Sequence, residues 1–263
     1  EMSNWVMKLL LALCAGCYAG AFVCSLERFE KKLRPAWKWV FTGSALALNT
    51  GLVVYNYIIN RITNGASYAP FVSMFQVLIF LALTFTPVWL FVEKVCRYKG
   101  YHWYFLLASA IVMLGPCFMD IHAVWTFPPA LQSVFFVPHV ICYMLSYSLA
   151  AIAFLIAFVS LFSGKNEEGV CACCVRTLFP FMSAGMFLGA VWADQVWGEF
   201  WAWDIKECWS LCTWLDYMLC LHCYRRENLR KYAKILVFTG FLLVIITFLF
   251  SNVLKVSSTH SYS

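Results

Sequence analysis

Residues 139–163 read HVICYMLSYSLAAIAFLIAFVSLFS, a run without a single Asp, Glu, Lys or Arg. A transmembrane helix needs about 20 mostly apolar residues. Inside hydrocarbon every backbone N–H and C=O must be bonded within the segment, so this run reads as a membrane-spanning helix. Comparable runs lie on both sides of it, at 5–24, 38–58, 72–93, 101–118, 177–194, 208–224 and 234–253. The expected fold class is therefore all-α, a polytopic membrane helical bundle of about eight transmembrane helices. The composition agrees: of 263 residues, 63% are hydrophobic and 12% charged, with a mean hydropathy of +0.75. A water-soluble domain with a charged shell is excluded.

The first run, Trp5 to Cys24, has the length of a membrane helix and is followed by further spans, so it is not read as a secretory signal. The chain opens on Glu1-Met2 without a clear initiation region, which reads as a piece of a longer or fused protein. No long polar linker or internal repeat divides it, and residues 1–263 are taken as a single membrane domain.

Charge sorts the connections. The segments 25–38, 94–99, 164–176 and 224–234 hold fifteen of the 19 Lys and Arg, while Lys8, Arg61, Lys206 and Lys255 are the rest. Short basic loops stay on the cytoplasmic side. Both termini and the loops near 59–71, 119–138 and 195–207 are thereby expected on the outer side. The net charge of +6 expresses this topology, and no nucleic-acid partner is expected. Most of the 13 Cys lie inside apolar runs, where a thiol packs as a small hydrophobe. A disulfide framework is not expected. Cys171, Cys173 and Cys174 fall on the cytoplasmic side and lack a second ligand pair for a metal, so a lipid-modified or inert cluster is expected.

From Trp192 the sequence runs WADQVWGEFWAWDIKECWSLCTWL, with six of the chain's 12 Trp in 23 residues. One or two Trp would be an interfacial belt. Six of them mixed with Asp194, Glu199, Asp204, Lys206 and Glu207 suit a large, flat, apolar ligand with polar edges, because indole faces give stacking area and polar groups orient substituents. Heme is such a ligand. The segment has no His or Met, and no Cys before Cys208, so iron ligands must come from elsewhere. His139 opens the fifth span at its outer end, and His260 lies in the outer tail. His222 sits near the cytoplasmic end of the seventh span. Two His on opposite sides of a plane can ligate heme iron axially. His102 and His122 receive no role.

Trp197-Gly198-x-x-Trp201-x-Trp203-Asp204-x-Lys206-Glu207-x-Trp209, followed by Thr213-Trp214-Leu215, resembles the WWD motif of the CcsA/ResC cytochrome c biogenesis proteins. Pro129-Ala130-Leu131-Gln132-Ser133 with His139-Val140 and Leu145-Ser146-Tyr147 is similar to the family's segment carrying the first outer axial His. Leu221-His222 resembles its transmembrane His, and His260-Ser261-Tyr262 its second outer His. Gly65 to Phe80 is a weaker likeness. Together these cover roughly the last two thirds of the chain. Two departures stand out: Ile205 where the family usually has Pro, expected to loosen the turn after Asp204, and Gln76 where an acidic residue is usual, which removes any charge-based role there.

The resemblance implies heme handling for cytochrome c maturation by a subunit of a cytochrome c synthase. Heme b is taken as substrate from the cytoplasmic side and bound by His222 within the membrane. It is then presented on the outer loop, about 192–209, by Trp192, Trp197, Gly198, Trp201, Trp203, Asp204 and Trp209, with His139 and His260 on the iron. Two thiols of a CxxCH apocytochrome c then add across the heme vinyl groups. No side chain reads as a nucleophile or acid–base pair for this step; binding and orientation are the expected contribution. The implied partners are a CcsB/ResB-type membrane protein, separate or fused, the apocytochrome c, and thiol-reducing thioredoxin-like proteins. The implied location is a bacterial inner membrane, or the thylakoid membrane, where the same family serves chloroplasts. Two other readings use the same segment: a CcmC-like transporter passing heme to a chaperone, which has about six spans, and a transporter of another solute using Trp as a belt. Asp216, two turns from His222, has three candidate roles: orienting a ligand, pairing with Arg, or facing a water-filled vestibule.

Overall fold

The computed structural model describes residues 4–26, 36–64, 69, 71, 73–119, 129–164 and 167–250. Within these are eight α-helices: α1 Asn4–Ser25, α2 Ala36–Asn64, α3 Met74–Lys94, α4 His102–Cys117, α5 Phe136–Ser163, α6 Glu168–Trp197, α7 Ile205–Arg225 and α8 Arg230–Ile245. A π-helical turn, Ile246–Phe250, extends α8. The described residues contain no strand. Each helix falls on one of the eight apolar runs. Five segments, Asn4–Ser25, Met74–Lys94, Phe136–Ser163, Glu168–Trp197 and Arg230–Phe248, are long and apolar enough to cross a membrane, and His102–Cys117 is a shorter apolar helix.

The helix ends have local causes. Pro138 lies in the first turn of α5, where its fixed φ suits a helix and its missing N–H is not needed. Gly164, at φ 65, closes α5 in the left-handed conformation that glycine adopts at little cost. Only four residues separate α5 from α6, because α6 begins at Glu168, nine residues before the apolar run read from sequence. The segment 164–176 is thus mostly helix. Cys171 and Cys174 are free thiols buried inside it, with the Cys171 thiol directed at the Ala153 carbonyl of α5 (3.7 Å). Gln76 forms a capping box with Ser73 at the start of α3, a role that needs an acceptor oxygen and not a charge.

The chain divides into two compact units, Glu1–Gln132 and Ser133–Ser263. In the first, α1 packs on α2 and α4, and α3 packs on α2 and α4, around a core that includes Leu11, Tyr18, Phe75, Ile79 and Met113. Asn49 of α2 is fully buried there. With its amide nitrogen toward the Ile79 carbonyl (3.1 Å), its oxygen accepts from the Tyr18 hydroxyl (3.0 Å) and the Leu83 N–H (3.2 Å). One amide thereby ties α1, α2 and α3.

In the second unit the helix contacts close a ring: α5 on α6, α6 on α7, α7 on α8 and α8 on α5. Side-chain hydrogen bonds cross three of these seams, and one more spans the ring from α5 to α7. Tyr143 of α5 meets Ser210 of α7, the Trp214 indole N–H donates to Ser183 of α6 (2.8 Å), and Lys234 of α8 donates to Ser160 of α5 (2.8 Å). On the seam of α7 with α8, Thr239 donates to Asp216 (2.7 Å), so the partner seen for Asp216 is a hydroxyl and not an Arg.

Interhelical hydrogen bonds of this kind contribute about 0.6–2 kcal/mol each in membranes. Asn49→Leu is expected to lower stability by about 1–2 kcal/mol, since it also leaves buried groups without partners. Thermal unfolding in detergent checks this, with Tyr18→Phe having a smaller effect when combined with Asn49→Leu than alone.

Candidate functional site

The Trp-rich segment joins α6 to α7 within the second unit. Helix α6 ends at Gly198, whose φ of 78 and N–H bonded to the Asp194 carbonyl (2.9 Å) turn the chain out of the helix. Helix α7 begins at Asp204, whose Oδ1 accepts from the Lys206 N–H at 2.6 Å. Glu207 completes a capping box and does more. Its Oε2 accepts from both the Ala202 N–H (2.9 Å) and the Asp204 N–H (3.2 Å). The turn after Asp204 is therefore closed by hydrogen bonds even with Ile205 in place of Pro, so the expected loosening is not seen. Asp204 and Glu207 act on the backbone. Burial pushes the Glu207 carboxyl upward, opposed by the N–H groups that it accepts from.

With its backbone held this way, the loop displays aromatic surface. Trp203 is 70% exposed, Phe200 54% and Trp197 37%, whereas Trp192 is 3% exposed. Trp201 and Trp209 are half-buried. Trp201 and Trp203 meet edge to face at 6.0 Å between centroids, and Trp192 and Trp197 at 5.0 Å. Trp203 has a positive φ of 56. The Trp201 indole N–H is buried with no hydrogen-bond partner among the described residues.

His139, in the first turn of α5, lies beside the end of α6 that feeds this loop. Its ring is 5.7 Å from that of Trp192 and 5.1 Å from that of Tyr143. Its Nδ1 lies 2.7 Å from the Gly185 carbonyl, an acceptor only, so Nδ1 carries the proton and the lone pair is on Nε2. Donation to a backbone carbonyl fixes the orientation of the ring. The ring fits because Gly189 has no side chain: a Cβ there would stand 2.5 Å from Cε1 and 2.6 Å from Nδ1. A Cβ on Gly185 would stand 2.9 Å from the Tyr143 ring. Gly185 and Gly189 were not among the residues expected from sequence, although a pair of small residues four apart is the recognisable mark of close helix approach in membranes.

His222 is exposed on the last turn of α7, with Nδ1 2.8 Å from the Met218 carbonyl. The same reasoning puts its lone pair on Nε2. Seventeen residues from Ile205 to His222 correspond to ~25 Å of helix, so His222 lies at the far end of α7 from the loop. His139 and His222 cannot ligate one iron together. His260 lies outside the described residues. Among the described residues no group of three or more His, Cys, Asp or Glu is arranged to hold a bare metal ion.

The family model for "Cytochrome C assembly protein" matches residues 39–257. The chain is 30% identical over 177 residues to the cytochrome c biogenesis protein CcsA of Chlamydomonas reinhardtii, a match covering 57% of this chain and 50% of that protein. It is 27% identical over 261 residues to CcsA of Mesostigma viride (81% of this chain, 84% of that protein). With CcsA of Prochlorococcus marinus it shares 26% identity over 238 residues (75% and 77%).

Two outcomes are expected from this geometry. Gly189→Ala should cost about 1–3 kcal/mol by overpacking, and much less in a His139→Ala background, where the ring it strikes is gone; thermal unfolding of the four variants checks it. Burial lowers the Lys206 ammonium to about 8, opposed by Asp204. A lowered value means that neutral, nucleophilic amine appears earlier as pH rises. Lys206 should therefore acylate with a midpoint near pH 8, while Lys231 on the basic side serves as the internal comparison by mass spectrometry.

Proposed function

The chain belongs to the cytochrome c assembly protein family, and from that premise we propose that it binds heme as substrate on the Trp-rich loop and presents it to apocytochrome c. It is a helical membrane protein of cytochrome c biogenesis. The finer reading has eight spans, working as one membrane domain, with both termini and the 192–209 segment, the end of α6, the turn and the start of α7, on the outer side of the membrane. The sorting of Lys and Arg supports that orientation. A bacterial plasma membrane is the first choice, with a thylakoid membrane as the alternative.

The observation that carries the reading is the imidazole of His139, held at Nδ1 by the Gly185 carbonyl and set against Trp192, next to the Trp-rich segment that exposes Trp197 and Trp203. A porphyrin needs apolar faces, an axial nitrogen and donors for its carboxylates. The loop has exposed indole faces, His139 has the nitrogen, and the Trp201 N–H is a buried donor without a hydrogen-bond partner among the described residues. The residues fit the group.

In this mechanism His222 receives heme nearer the cytoplasmic side, and His139 with His260 holds it outside. Bound heme supplies the vinyl carbons to which two substrate thiols add. The chain's own residues do the rest. His139 fixes the iron's position, and the Trp faces set the plane and shield one side from water. The capping box of Asp204 and Glu207 keeps the loop's shape. Approach of the reacting atoms in a fixed orientation is the source of rate. A CcsB/ResB-type partner and thiol-reducing proteins would deliver the reduced apocytochrome.

Purification from a heme-producing host should yield a Soret absorption band. His139→Ala should reduce it several-fold, with recovery on adding imidazole, which replaces the missing ligand. Absence of the band, or a band unaltered in both His139→Ala and His260→Ala, would overturn the reading in favour of a transporter for another solute.

A further inference from the structure

The ligand proposed above carries two propionate carboxylates, yet the segment from Trp192 to Trp209 is itself acidic. It holds Asp194, Glu199, Asp204 and Glu207 against one cation, Lys206. Lys206 is moreover the only Lys or Arg between Arg176 and Arg225. Apart from His222 at the far end of α7, nothing else on α6 after Arg176, on the loop or on α7 before Arg225 can offset an anion with a full positive charge.

The position of Lys206 is unusual for a lysine. It stands in the first turn of α7 and is half-buried, and burial depresses its ammonium even with Asp204 nearby. A cation drawn out of water costs free energy that an incoming anion offsets. The N-terminal end of α7 adds to the pull, because helix dipoles favour negative charge there. A second, independent observation points to the same chemistry. The indole N–H of Trp201, five residues earlier, is buried and makes no hydrogen bond among the described residues. Leaving such a donor unsatisfied costs about 1–3 kcal/mol. An ammonium and an indole N–H can only donate, and an ionised carboxylate can only accept.

The backbone around these groups is fixed. Glu207 holds the Ala202 and Asp204 N–H groups between Trp201 and Lys206, so the two residues that carry the donors flank one hydrogen-bonded turn. Their neighbours Trp203, 70% exposed, and Phe200, 54% exposed, supply apolar surface for a ring.

We propose that Lys206 and the Trp201 indole N–H form the carboxylate-recognition end of the platform and take the propionates of heme. The inference rests on the heme reading of the loop. It assigns the ligand an orientation: propionates and vinyls occupy opposite sides of the porphyrin, so anchoring the first at Lys206 directs the second away from the turn, toward arriving thiols. Lys206 is then a positioning residue for thioether formation, since it touches the ligand's carboxylate and not the reacting carbons.

The test compares ferric heme with its dimethyl ester, in which both carboxylates are masked, on the purified full chain. Wild type should bind heme about ten-fold more tightly than the ester. Lys206→Gln should lose that preference by weakening heme alone. Lys206→Arg should keep most of it, and Trp201→Phe, which retains a ring but no N–H, should lose part. Unchanged ester binding in the variants is the control for folding. Equal binding of heme and ester by wild type, or equal loss of both in Lys206→Gln, would overturn the assignment while leaving the heme reading intact. Failure of both porphyrins to bind wild type would instead remove the heme reading, and this inference with it.

Discussion

Helix α6 has no side chain at positions 185 and 189, and on that bare backbone α5 lays Tyr143 and His139. The contact is a fixed one. A methyl group at 189 would stand 2.5 Å from the imidazole, far inside van der Waals separation, so ring and helix define each other's position. The Gly185 carbonyl, already spent on a helical bond, has a second lone pair, and the His139 Nδ1 proton uses it. Three properties of the site follow from this one approach. The ring's tautomer is set, its plane is set against Trp192, and its Nε2 is kept close to α6 at Gly189. In hydrocarbon, where close backbone packing replaces the hydrophobic drive between helices, the same device both joins two helices and orients the His139 ring.

The loop has a complementary logic. A turn at a membrane surface leaves N–H groups that neither helix satisfies. Asp204 and Glu207 take three of them, at Lys206, Ala202 and Asp204. These acidic residues therefore shape the segment, and their charge is offset locally by the donors and by the start of α7. The indoles are then free of structural duty in unequal measure. Trp192 is packed in the unit, whereas Trp197 and Trp203 face outward.

Much of this was legible in the sequence, and what was not has a definite physical reason. Apolar run length located all eight helices, because length and hydropathy are properties of a single segment. The start of α6 was missed because Lys165, Glu167 and Glu168 read as a polar connection, while Gly164 alone suffices to end α5 and Glu168 already belongs to the next helix. The Trp cluster was legible from composition, and His139 was put forward from its position and the family resemblance. Gly185 and Gly189 were not, since a glycine's use here depends on what lies across from it, and that is a property of two helices. Glu207 was quoted within the motif without a role: its value comes from reaching back to Ala202, which only the closed turn makes evident. Ile205 was expected to loosen that turn, but the hydrogen bonds that close it do not involve the Ile205 side chain.

Trp203 carries the argument one step further. Its φ of 56 lies in the left-handed region, which costs a residue with a Cβ about 1–2 kcal/mol and is normally given to Gly or Asn. A glycine there would relieve the strain without disturbing the N–H groups bound by Glu207. The chain instead places its largest side chain at that point and leaves it 70% exposed, forgoing burial as well. Neither local conformation nor packing accounts for that choice. Strain held at a surface position by a surrounding hydrogen-bonded frame points to use of the side chain itself. For an indole displayed above a turn with donors at Trp201 and Lys206, the use that fits is a face against which a flat ligand lies.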